Sequence, residues 1–133
     1  MDVLFVDLLN WLEYTQDDAG RLWLADYPGS PKAPADLGES REIHGSPERL
    51  AALVELLKVL AHHAPQVHRH APIVQPHLGA ISQLARAMGA GLPLDAALTE
   101  ARRCFEWTPL PGAWGEAVAA AWAQLDAGID AIR

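Results

Sequence analysis

Cysteine occurs once in this chain of 133 residues, at Cys104, so neither an intrachain disulfide nor a multi-cysteine metal centre can be built. Phenylalanine and tyrosine number two each, and isoleucine and valine are sparse beside alanine and leucine. Few residues therefore favour strands over helices, and the expected class is mostly or wholly α. No apolar segment approaches the roughly 20 residues that a membrane-spanning helix needs. The opening Met1-Asp2-Val3-Leu4 has no basic run ahead of an apolar block, so no secretory signal is read there. A soluble, cytoplasmic protein is the expectation. Glycine-rich phosphate loops, Gly-x-Ser-x-Gly elbows and the two-histidine-plus-glutamate helix motif are all missing, so neither an enzyme nor a bound cofactor is expected.

Bases are scarce as well, and unevenly so. Residues 1–42 carry nine acids (Asp2, Asp7, Glu13, Asp17, Asp18, Asp26, Asp36, Glu39, Glu42) against Arg21, Lys32 and Arg41, a net −6. Residues 43–133 are close to neutral, at −1. Such a surface repels phosphate, which disfavours direct nucleic-acid binding. Solubility alone accounts for an acidic third; an acidic docking face is the functional alternative.

What the chain does have is helical periodicity. Over 2–16, Leu4, Leu8, Trp11 and Leu12 recur at helical spacing, with Val3, Phe5 and Leu9 widening the stripe, and a first helix is predicted there. Residues 21–27 are too short to separate a helical turn from a strand; a hairpin with 11–14 is the alternative reading. Prolines and glycines at Pro28, Gly29, Pro31, Pro34, Gly38 and Gly45 make 28–45 a long loop or extended arm. Ser46-Pro47-Glu48 is a helix start: a capping hydroxyl, a proline where no amide partner is needed, and an acid in the first turn. Leu50, Leu53, Val54, Leu57, Leu60 and Ala61 then form one stripe, with Leu56 and Val59 off it, so this helix is expected to be buried on more than one side. Further helices are predicted from near 75 to 89 (Leu78, Ile81, Leu84, Ala85, Met88), over about 94–107 (Leu94, Leu98, Phe105) and over about 113–132 (Trp114, Val118, Trp122, Leu125). The sum is one domain, 1–133: an acidic helix and loop over 1–45, and a four-helix core over 46–133, five helices in all.

Five of the six histidines fall between 62 and 77. His63-Ala64-Pro65 recurs seven residues later as His70-Ala71-Pro72, and His77 follows after seven more. Pro65, Pro72 and Pro76 argue against one unbroken helix, so the repeat reads as two short helical starts or a kinked corner. A zinc site would draw on His62, His63, His68, His70 and His77, but no two are spaced i, i+3 or i, i+4, and no acid stands between Glu55 and Asp95. Titration of the cluster in mild acid is a further option. Cys104 beside Phe105 is read as a buried thiol and not as a reactive one.

Of the five tryptophans, Trp11, Trp107, Trp114 and Trp122 sit on or beside predicted core faces. Trp23 with Tyr27 is the preferred surface anchor. The leading expectation is a non-catalytic adaptor, assembly chaperone or inhibitor, acting on another protein or on a second copy of itself. It would dock through apolar helical surface and the acidic third: Trp11, Trp23, Tyr27, Asp17, Asp18, Asp26, Asp36, Glu39 and Glu42. The alternatives are a metal- or proton-responsive regulator built on the histidines, and an acidic mimic of nucleic acid built on those carboxylates.

Overall fold

The computed structural model describes residues 2–27, 40–90, 110 and 112–130; over 86–90 and 125–130 it describes the backbone alone. Four strands come first: β1 (Asp2–Asp7), β2 (Leu12–Gln16), β3 (Leu22–Asp26) and β4 (Arg41–Ile43). They form one antiparallel sheet in sequence order, a meander. Four helices follow: α1 (Pro47–His62), α2 (Ala64–Arg69), α3 (Ala71–Ala90) and α4 (Gly112–Asp130). The helix expected over 94–107, with Trp107 and Cys104, lies outside the described residues, as does most of the expected loop.

The all-α expectation is thus overturned: the protein is an α+β mixture, and residues 2–16 form two strands and their turn in place of a helix. The physical reason is a β-bulge. Pairing of β1 with β2 slips between Val3 and Phe5, so Leu4 and Phe5, neighbours in sequence, are both buried. A bulge breaks the strict alternation by which a strand is recognised. The apparent helical stripe of Leu4, Leu8, Trp11 and Leu12 is divided among β1, the turn and β2, and Leu8 is 40% exposed. The hairpin weighed for 11–14 with 21–27 is present, with Leu12 opposite Asp26 and Tyr14 opposite Leu24.

Each turn has a side-chain cause. After β1, Asp7 accepts the amides of Leu9 and Asn10 and the Asn10 side-chain amide, all at 2.8–3.0 Å, which folds the chain over residues 8–11. Trp11 closes that turn at φ 55°, a left-handed conformation that a bulky side chain rarely adopts. After β2, Asp17 accepts the amides of Ala19 and Arg21, and Gly20 takes φ 83° in a three-residue loop.

One face of the sheet supplies Phe5, Tyr14, Leu22, Leu24 and Ile43 to a core completed by the helices. α1 packs on β1 and on α4, while α3 packs near β4. Burial of α1 on more than one side is observed, with Leu53, Leu56 and Leu57 all inaccessible to water. Ser46 caps α1 by accepting the Arg49 amide at 3.3 Å, as its position ahead of Pro47 suggested. The His-Ala-Pro repeat proves to be two helical starts: α2 opens on Ala64-Pro65 and α3 on Ala71-Pro72, earlier than the expected start near 75. Among the described residues Pro47, Pro65 and Pro72 stand in the first turns of their helices, and Pro76 alone lies in a helix interior.

Candidate functional site

The outer face of the sheet, turned away from the helices, carries the residues that stand out. Antiparallel sheets tolerate one watered face, and strand register defines its rows. Val3, Thr15, Trp23 and Glu42 lie side by side across all four strands, and Val6, Glu13 and Ala25 form the next row. Trp23 is half-buried, central and fixed. Its indole N–H donates to Asp17 Oδ2 at 3.0 Å, and the Arg21 guanidinium sits 5.6 Å from the ring centroid. Arg21 Nε also donates to Asp17 Oδ2 at 2.8 Å, and its far nitrogen lies 3.9 Å from Glu42. Glu42 in turn meets His44 Nδ1 at 2.8 Å. One turn carboxylate thus holds the hairpin, the cation and the indole together.

Electrostatics at Asp17 follow from this crowding. Removal from water raises its pKa, and the hydrogen bonds from Trp23 and from the Arg21 backbone and side chain, with the Arg21 charge, more than reverse that. The carboxyl ends below its ordinary value of 3.8. It is therefore ionised throughout the neutral range.

At the opposite end of the hairpin, Trp11 and Tyr27 meet with ring centroids 6.2 Å apart, and the Tyr27 amide donates to the Trp11 carbonyl at 3.0 Å. From Trp23 to Tyr27 the chain advances about 13 Å along β3, so the two aromatic groups mark the ends of one strand. The structure therefore joins Trp23, Asp17 and Glu42, and separately Trp11 and Tyr27. Asp18 is exposed at the hairpin tip, and Asp26 lies half-buried opposite Leu12. Asp36 and Glu39 lie outside the described residues. Arg21 and His44 were missed in the sequence. The signal for Arg21 was the spacing Asp17-x-x-x-Arg21-x-Trp23 across a turn, and for His44 the i, i+2 spacing from Glu42 that a strand brings to one face.

The histidines do not converge. His62 and His63 meet edge to face at 4.9 Å, His70 stacks on Trp114 at 5.6 Å, and His77 is buried within α3. Among the described residues no three His, Cys, Asp or Glu side chains are grouped to hold a metal ion. Nor is any helix among them long and apolar enough to cross a membrane. Chemically the outer face offers a clamped indole, flanking carboxylates and apolar patches, which suit recognition. Comparison with protein-family models, with curated proteins and with solved structures finds no match to this chain.

Proposed function

We propose that this is a non-catalytic interaction protein, an adaptor, assembly chaperone or inhibitor, that docks on a basic protein through the outer face of its sheet. The observation that carries the reading is Trp23: a half-exposed indole at the centre of a sheet face, held by Asp17 and Arg21 instead of being packed in the core. A side chain fixed before binding loses little entropy on binding, and tryptophan is among the residues that most often dominate interfaces. Charge defines the partner's class. Glu13 and Glu42 lie in the outer-face rows and Asp17 and Asp18 at the hairpin tip beside Trp23, four acids against the Arg21 that Asp17 already holds. A basic surface complements them and is steered toward them. The earlier expectation of docking through an apolar first helix falls with that helix, and the reading moves docking to the outer face of the sheet.

The test is affinity capture on the wild-type chain and on Trp23→Ser, followed by titration of the purified partner at several salt concentrations. A partner held by the wild type and weakened at least tenfold by the substitution, about 1.4 kcal/mol, supports the reading. Equal affinity for both proteins overturns it. A steep salt dependence with no sensitivity to Trp23 would instead favour a purely electrostatic mimic of nucleic acid.

A further inference from the structure

We propose that the free edge of β1 receives an extended, basic segment of the partner, which joins the sheet as a fifth strand. This rests on the reading above and adds the conformation and chemistry that the partner presents. In the order β1-β2-β3-β4 the sheet has two edges, and they differ. β4 is three residues long, with an exposed Arg41 and with Glu42 engaged by Arg21 and His44. Short length and charge are the usual means of closing an edge to other chains. β1 is six residues long and holds neither a base nor a proline; its bulge between Val3 and Phe5 interrupts the edge at one point only. Among the described residues no segment pairs with its far side.

A strand with one neighbour directs about half its amides and carbonyls outward, and an extended backbone is the ligand that matches them. Apolar exposure points to the same place. Of the three large apolar side chains that are exposed among the described residues, Val3 at 56% lies on β1 and Leu8 at 40% on the turn that follows it. Neither is covered by the helices.

Charge selects the occupant. Antiparallel pairing of β1 with β1 of a second copy would set Asp2 against Asp7 at both ends, between two chains of net charge −7. Like charges set opposite each other destabilise a strand pair. A basic segment meets the reverse situation. A lysine placed beside Val6 stands two strands from Glu13, about 10 Å, which is comparable with the screening length of about 8 Å at physiological salt. Alternation then sets the bases on the outer face, beside Val3 and Val6, and requires apolar side chains between them, turned toward the buried side of β1.

The probe is the fluorescent hexapeptide acetyl-Lys-Val-Arg-Val-Lys-Val-amide, titrated into the full chain and followed by anisotropy and by backbone amide exchange. Two further peptides carry N-methyl groups on alternate amides, one set on each edge. Val3→Lys is the protein control; its site is exposed, and far-UV circular dichroism reports whether the fold is kept. The proposal expects slowed exchange over 2–7, and affinity lost with one N-methylated peptide and kept with the other. It also expects a loss of about tenfold with Val3→Lys at unchanged dichroism, as a like-charge contact would cause. Equal binding of both N-methylated peptides, no binding of the parent peptide, or protection confined to other elements would overturn it. Binding that Trp23→Ser weakens while exchange over 2–7 is unchanged would overturn the edge assignment and leave docking on the outer face standing. Concentration-dependent dimerisation that Val3→Lys abolishes would identify a second copy as the occupant instead.

Discussion

At the scale of the residue, Asp17 is the organiser of the face. Both of its oxygens are used, one by the amides of Ala19 and Arg21 and the other by the Arg21 and Trp23 side chains. Its pKa is lowered on folding, so the stability it contributes is present above the unfolded carboxyl value and is lost as pH falls through the lower folded value. The wild type should therefore lose hairpin stability only below about pH 3.8. Asp17→Asn turns the second oxygen into a donor that faces two donors. It should lower the melting temperature at neutral pH, shift Trp23 emission, and remove this part of the acid dependence. Thermal melts of both proteins from pH 2 to 7 check it; parallel acid profiles would show that Asp17 does not hold the turn. Trp11 is a second singular residue. Its positive φ places a large ring on a turn where a smaller residue would cost less, and that ring then meets Tyr27.

At the scale of the element, what the sequence revealed depended on whether its periodicity survived intact. α1 was legible from Ser46-Pro47 and from a regular stripe, and α4 from Trp114, Val118 and Trp122. The seven-residue His-Ala-Pro repeat correctly announced two helical starts. β1 was illegible because its bulge buries Leu4 and Phe5 together, and because Leu4, Leu8, Trp11 and Leu12 imitate a helix at the right intervals by coincidence. β3 was legible only as an alternative, since five residues satisfy either period. Trp23 was singled out as an anchor from its place beside the acidic loop, whereas its partner Arg21 needed the turn to be known. The histidines attracted attention by number, yet among the described residues no three of them are grouped to hold a metal ion.

Close approach at α4 gives an element-scale prediction. A Cβ on Gly115 would collide with the carbonyl of Leu110, so the chain entering α4 folds against its first turn only because that side chain is missing. Gly115→Ala should therefore destabilise the protein by about 1–3 kcal/mol, despite alanine's better helix propensity. Urea unfolding measures it. A neutral or stabilising result would mean that the segment at Leu110 moves aside freely.

At the scale of the whole molecule, the uneven charge of the sequence becomes a division between layers. Every described strand comes from the acidic first 43 residues, and every described helix from the nearly neutral remainder. The inner side of the sheet shares one buried core with Leu53, Leu57, Leu78 and Ile81 of the helices, while the outer rows hold Trp23 with Glu13 and Glu42. Recognition by that layer is the central claim, and hydrogen exchange of the full chain with and without its captured partner tests it most directly. Docking on the sheet should slow exchange over 2–7, 12–16 and 22–26 and leave α1 and α4 unchanged. Protection confined to the helices, with the strands exchanging as they do in the free protein, would contradict it.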